Sequence, residues 1–62
     1  MRDANRIYPF CIEFAELWAK HPDLRFGQIV SNVARYTQMK YRKDAFFLEE
    51  DEIMDVIKKI LK

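Results

Sequence analysis

The chain has 62 residues, of which half are hydrophobic and nine are aromatic, and its formal net charge is +1. This length allows one domain, residues 1–62, with a small core. A single cysteine excludes an intrachain disulfide, and no apolar run is long enough to span a membrane. We therefore expect a cytoplasmic protein of a bacterium or of a phage-infected cell. We also expect most aromatic rings to be buried, so that more than two or three exposed rings would indicate an interface.

The first segment, from about Arg6 to His21, has the apolar spacing of an amphipathic helix. Proline is accepted only in the first turn of a helix, so regular helix should begin between Arg6 and Pro9. Pro22 should end it, because the residue before a proline avoids the α conformation. Its apolar stripe comprises Ile7, Phe10, Cys11, Phe14, Leu17 and Trp18.

The second segment opens at Asp23, a residue type that favours the N-cap position. Gly27 lies inside this predicted helix, and we expect it to allow a close approach by another backbone or by a ring such as Trp18. After Met39 the periodicity fades, and residues 40–44 are the best candidate for a loop, although the helix could extend into them. The apolar stripe consists of Phe26, Ile29, Val30, Val33 and Ala34, continued by Tyr36 or Thr37.

The third segment, residues 48–62, starts with acids and ends with lysines, an order that matches the helix dipole. Its predicted buried stripe comprises Ile53, Val56, Ile57, Ile60 and Leu61. Just before it, Asp44 should cap a turn. Phe46, Phe47 and Leu48 should pack under the first helix, where Phe46→Ala or Phe47→Ala would cost about 3–5 kcal/mol. Together these segments predict an all-α domain of three helices with short connections.

No catalytic or metal-binding set stands out, and we expect no enzyme activity, metal or cofactor. His21 and Cys11 lie ten residues apart on one helix, about 15 Å along its axis, too far for a nucleophile and its base. We interpret His21 as a helix-end residue and Cys11 as a small apolar side chain. The acids at positions 49–52 lack the glycine turn of a calcium loop and are better explained as a helix N-terminus.

Charge is unevenly distributed along the chain. Residues 23–43 carry five basic side chains against Asp23, a net of +4, whereas residues 44–62 carry a net of −3. The two segments could face each other in the fold, or the basic one could meet phosphate. Arg, Gln and Asn are also the side chains that read base edges in nucleic acid. The candidate macromolecule-binding residues are therefore a stripe on the second helix, Arg25, Gln28, Asn32 and Arg35, and the basic segment Lys40, Arg42 and Lys43.

The stretches HPDLRFGQIVSN and DAFFLEEDE resemble a recurring pattern in small uncharacterised bacterial and phage proteins. The match spans residues 18–52, and the departures are Ala45, where the pattern has proline, and the basic MKYRK insert before Asp44. The resemblance implies a helical fold and a mobile-element setting, and it implies no mechanism. It adds the expectation of a phage-encoded modulator of a host protein.

From the sequence we therefore predict a non-enzymatic module that binds a protein, either another protein or a second copy of itself. The alternative is a small DNA- or RNA-binding protein that uses the exposed face of the second helix.

Overall fold

The computed structural model describes residues 3–62 and confirms the all-α class. Helix α1 spans Ile7–Ala19, α2 spans Phe26–Tyr41 and α3 spans Glu50–Ile60. Short 3₁₀ turns, Ala4–Arg6 and Ala45–Phe47, precede α1 and α3. No helix in the described part of the chain has both the length and the apolar character that a membrane crossing needs.

Helix α1 begins where the sequence predicts, with Pro9 in its first turn. The Asp3 carboxylate caps the preceding turn, accepting a hydrogen bond from the Asn5 backbone N–H at 2.9 Å. The helix ends at Ala19, two residues before the predicted His21. The corner that follows is fixed by the Trp18 indole N–H, which donates to the Leu24 carbonyl oxygen at 2.9 Å.

The predicted start of α2 at Asp23 is wrong. The N-cap is Arg25, whose backbone N–H donates to the Gln28 side-chain carbonyl at 2.8 Å. A glutamine three residues after the cap satisfies one otherwise unpaired backbone group, and this local bond outweighs the cap preference of Asp23. The expectation for Gly27 is also wrong, because a Cβ there would meet nothing within 4 Å.

Helix α2 continues through Tyr41, so the first two residues of the predicted loop are helical. Arg42 ends it in the left-handed conformation, with φ of 58°, and its N–H donates to the Gln38 carbonyl oxygen at 3.1 Å. Asparagine or glycine is usual at such a position, so arginine adopts it at some cost in backbone energy.

Helix α3 matches its prediction closely. The Glu49 backbone N–H donates to the Glu52 carboxylate at 3.0 Å, acids fill the first turn, and Lys58 and Lys59 lie in the last. Of the predicted stripe, Ile53 and Ile60 are half-buried. Its fully buried side chains are Val56, Ile57 and Leu61, joined by Met54, which the predicted stripe omitted.

The core lies between α2 and α3. Ile29 and Val33 of α2 pack with the buried side chains of α3, and Thr37 is fully enclosed beside them. Helix α3 contacts both other helices, whereas α1 contributes no fully buried residue. Phe10, Phe14, Leu17 and Trp18 of α1 are half-buried against the core, but Ile7 and Cys11 are exposed, which corrects their predicted burial.

In the described part of the chain, the ion pairs Arg6–Glu50 and Glu13–Lys58 hold α1 and its preceding turn to α3. Arg6 pairs with Glu50, and Glu13 pairs with Lys58 at 2.9 Å. The Glu13 carboxylate raises the pKa of Lys58 by accepting its hydrogen bond and by its opposite charge. Neither pair involves a residue from 23–43, the stretch with a net charge of +4. These contacts therefore do not support the interpretation that this stretch faces the acidic residues 44–62.

Candidate functional site

The predicted polar stripe of α2 comes together along one shallow groove, which we call the polar groove. Its volume is about 560 Å³, and Arg25, Gln28, Asn32 and Arg35 all line it. Asn32 is half-buried and the other three side chains are exposed. Gln28 is already engaged, since its carbonyl oxygen accepts the capping hydrogen bond from Arg25. The stripe therefore presents two guanidinium groups, the Asn32 amide and the N–H₂ group of Gln28, while the Gln28 side-chain oxygen is occupied by the cap.

The basic segment lies at the other end of α2. Lys40 belongs to the last helical turn, with its Nζ 5.8 Å from the centroid of the Tyr36 ring and 5.7 Å from that of Tyr41. These cation–π contacts hold its charge against the protein surface. Arg42 and Lys43 are exposed. Because α2 rises about 1.5 Å per residue, Arg25 and Arg42 lie about 25 Å apart along its axis. The cations are thus spread along the helix rather than gathered in one patch.

A second groove is almost entirely apolar, and we call it the apolar groove. It has a volume of about 400 Å³ and runs between α1 and α2, with α3 at its floor. The floor reaches the core side chains Ile29, Val33 and Ile57, while Phe26 and Val30 on the rim are about half exposed. The groove is lined by Phe10, Phe14, Phe26, Ile29, Val30, Val33, Ala34, Asp44, Ala45, Ile53 and Ile57.

One wall of the apolar groove includes Phe14 and Phe26, which contact each other and Trp18 behind them. Phe14 is the hub, with its ring centroid 5.7 Å from that of Trp18 and 6.3 Å from that of Phe26. Trp18 and Phe26 are 5.9 Å apart, which ties the start of α2 to α1. Ring pairs at these distances add attraction beyond the area that they bury. This wall is therefore preformed rather than assembled by a ligand.

The second 3₁₀ turn carries two exposed phenylalanines immediately beside the apolar groove. Phe46 is 84% exposed and Phe47 68% exposed, with their centroids 5.1 Å apart in an edge-to-face pair. Their predicted packing under the first helix is wrong. The turn directs Leu48 into the core and leaves the two rings outside. Asp44 caps the turn as predicted, accepting a hydrogen bond from the Phe46 backbone N–H at 3.1 Å. We call the apolar groove together with Phe46 and Phe47 the aromatic face.

The exposed aromatic rings exceed the limit set by the sequence analysis. Tyr8, Phe26, Phe46 and Phe47 are each more than half exposed. Under that criterion these rings mark a candidate interface. Sequence reasoning did not predict which rings are exposed, and the available signal was the number of aromatic residues, which exceeds what so small a core encloses.

The few residues that resemble catalytic groups do not converge on a site. Cys11 is exposed on α1. The side chain of His21 extends from the end of α1 toward the last residue of the chain, and its Nε2 lies 3.0 Å from the Lys62 carbonyl oxygen. His21 does lie at the end of α1, where its backbone N–H donates to the Trp18 carbonyl oxygen at 2.8 Å, but its ring contacts Lys62 and not those carbonyls. Among residues 3–62, no three His, Cys, Asp or Glu side chains gather as metal ligands would.

Comparison with known proteins adds no relative. No family model, curated protein or solved structure matches the chain. The resemblance of residues 18–52 to small bacterial and phage proteins therefore stays a prediction.

Proposed function

We propose that this chain is a non-enzymatic protein-binding module and that its binding surface is the aromatic face. The observation that carries the proposal is the exposure of Phe46 and Phe47 beside an apolar groove that opens onto the core. Large rings left in water are costly, and contiguous apolar surface of this kind is typical of interaction sites. Phenylalanine anchors seated in preformed pockets also supply much of the binding energy in protein interfaces.

This proposal moves the binding surface away from the polar stripe of α2. The stripe is exposed, but polar side chains on the outer side of an amphipathic helix are expected in any fold. Gln28 serves the helix cap, and Lys40 rests on two tyrosines. The aromatic face has no such local explanation. The proposed role as a phage-encoded modulator of a host protein rests on the sequence resemblance alone.

A paired substitution on α2 tests the proposal. Ala34 lines the apolar groove and is exposed, so Ala34→Glu places a charge in the groove without disturbing the core. Arg35→Glu introduces the same side chain one residue later, on the rim of the polar groove. We expect the immobilised chain to capture one stoichiometric protein, either a second copy of itself or another protein from a lysate of the encoding organism. Capture should be lost with Ala34→Glu and kept with Arg35→Glu. Equal capture by both variants contradicts the proposal.

Nucleic-acid binding remains the second candidate, because the predicted stripe does line a single groove with two arginines. The test of nucleic-acid binding uses the same two variants, Ala34→Glu and Arg35→Glu, and here Arg35→Glu is the one expected to weaken binding. Electrophoretic mobility shift at low salt would show retardation that Arg35→Glu weakens and Ala34→Glu leaves unchanged, since phosphate contacts provide most of the affinity. No retardation at micromolar protein removes this candidate.

A further inference from the structure

We propose that the partner of the aromatic face is a second copy of this chain, with Phe46 and Phe47 of each copy seated in the apolar groove of the other. The inference rests on the proposed function, since it names the partner that occupies the same surface. Its support comes from the open core, the exposed ring area, the rigidity of the turn and the symmetry of the arrangement.

The apolar groove lies directly over the core, and no element of the described chain covers it. Ile29, Val33 and Ile57 form both the centre of the α2–α3 core and the floor of the groove. The molecule measures 36 × 28 × 17 Å, so its thin dimension is less than two helix diameters. Its radius of gyration of 11.7 Å exceeds the roughly 10.5 Å expected for a compact chain of this length. A second copy laid over the groove would supply the missing layer.

The exposed rings supply a substantial part of the area that a dimer needs. Phe26 is 55% exposed, Phe46 84% and Phe47 68%, which together equal about two whole side chains. Since a buried phenylalanine removes about 150–250 Å² from water, three rings offer roughly 300–500 Å² per copy. A stable interface buries about 800 Å² per partner. The three rings thus approach half of that area before the other residues of the groove are counted.

The two phenylalanines do not line the groove of their own chain, and hydrogen bonds hold the turn that carries them. The Phe47 N–H donates to the Asp44 carbonyl oxygen at 3.0 Å, and the Leu48 N–H donates to that of Ala45 at 3.0 Å. The Asp44 side chain adds the cap on Phe46, and Leu48 anchors the turn in the core. The rings are therefore held outward beside the groove. The groove is therefore open to a ring from another molecule.

The arrangement is also self-complementary. Asp44 and Ala45 line the groove, and Phe46 and Phe47 follow them directly, so projection and recess are neighbours on one surface. A twofold axis beside the turn satisfies both insertions at once, as an isologous dimer requires. The net charge of +1 gives two copies little mutual repulsion.

Two variants, each missing one half of the contact, test this geometry. Phe46→Ser with Phe47→Ser removes the projection and keeps the groove, whereas Ala34→Glu blocks the groove and keeps the projection. We expect wild type to sediment as a dimer at about 100 µM, a concentration that populates micromolar complexes. Each variant alone should sediment as the 7.5 kDa monomer. An equimolar mixture of the two should recover a heterodimer, because one projection and one groove remain intact.

Matched controls distinguish this geometry from non-specific hydrophobic association. Met39→Ser removes a side chain that is 74% exposed on α2 but does not line the apolar groove, and it should stay dimeric. Circular dichroism should show native helix content in every variant, since all the positions are exposed. Dimers that persist in both single-half variants, or a mixture that stays monomeric, overturn the inserted geometry.

The outcome for wild type distinguishes the two levels of the proposal. A wild-type monomer that still captures a lysate protein in a manner sensitive to Ala34→Glu shows that the partner is not a second copy, and the protein-binding function stands. A wild-type monomer that captures nothing overturns both.

Discussion

The buried centre of the α2–α3 core and the exposed rings of the aromatic face differ in residue type. The core is almost entirely aliphatic, built from Ile29, Val33, Val56, Ile57 and Leu61 with Met54. The phenylalanines and Trp18 lie outside it, from half-buried to largely exposed. In so short a chain the aromatic rings would be the most efficient way to bury apolar area. Their position at the edge leads to the hypothesis that the exposed rings serve the proposed binding more than they serve folding, and the following predictions test that hypothesis.

The largest effect should follow from a truncation in the core. Leu61 has no exposed surface, so Leu61→Ala should lower the free energy of unfolding by about 2–5 kcal/mol through lost burial and a residual cavity. A chain of this length has roughly 3–9 kcal/mol in total, so much of the population should unfold. Thermal denaturation followed by circular dichroism measures the change. An unaltered midpoint would mean that the core is not where the structure places it.

The core also contains one polar atom whose removal should stabilise it. The Thr37 hydroxyl is fully buried and has no hydrogen-bond partner among residues 3–62. Thr37→Val replaces it with a methyl group of similar shape and should raise the free energy of unfolding by about 1–3 kcal/mol. Thr37→Ser is the control, because it keeps the hydroxyl, loses the methyl group and should lower stability. Urea denaturation of wild type, Thr37→Val and Thr37→Ser gives the order of their free energies of unfolding. A lower free energy of unfolding in Thr37→Val would show that the hydroxyl is hydrogen-bonded.

Substitution on the aromatic face should hardly affect the stability of the monomer. Phe46→Ala and Phe47→Ala should each change the free energy of unfolding by no more than about 0.5 kcal/mol, as at other exposed positions. The measurement belongs at about 1 µM or below, where self-association contributes least. Leu48→Ala is the control, since Leu48 is the buried member of the same turn and should cost more. A loss of 3–5 kcal/mol at Phe46 or Phe47 would show that the rings pack against the core in solution.

The smallest effect concerns the ion pair that joins α1 to α3. Glu13→Gln removes the partner that raises the pKa of Lys58, so that pKa should fall toward the ordinary lysine value of 10.5. With Glu13 present, the stabilising contribution is complete below pH 10.5 and is lost as pH rises through the raised pKa. NMR titration of the Lys58 side chain measures the change. Glu16→Gln, on the same helix, should leave it unaltered, and equal titration in wild type and Glu13→Gln would exclude the pair.

The three helices were predictable because their signals are local and agree with one another. Residues 50–60 combine an acidic first turn, a basic last turn and an apolar stripe, and their boundaries were nearly correct. At α2 two local signals competed. Asp23 is the better cap by residue type, but the side chain of Gln28 reaches the backbone only when Arg25 holds the position. Residue preference alone does not include that geometry.

The candidate site was less predictable, because exposure depends on how distant elements pack. From the sequence DAFFL, burial is equally expected for Phe46, Phe47 and Leu48. Only Leu48 is buried, because the three-residue turn directs it toward the core. The apolar groove arises because α1 contacts α3 without adding a fully buried side chain. That is a relation between helices that periodicity along one helix does not contain. The polar stripe was found, since it depends only on the spacing within α2.

The corner between α1 and α2 gives this protein an intrinsic optical probe. Trp18 is the sole tryptophan, its indole N–H is bonded to Leu24, and its ring lies against Phe14 and Phe26. Phe14 and Phe26 also line the apolar groove, whereas Trp18 does not. Its emission should therefore respond to changes in the groove wall, while the ring itself does not occupy the groove. Binding events at the groove become measurable by fluorescence on the unlabelled chain.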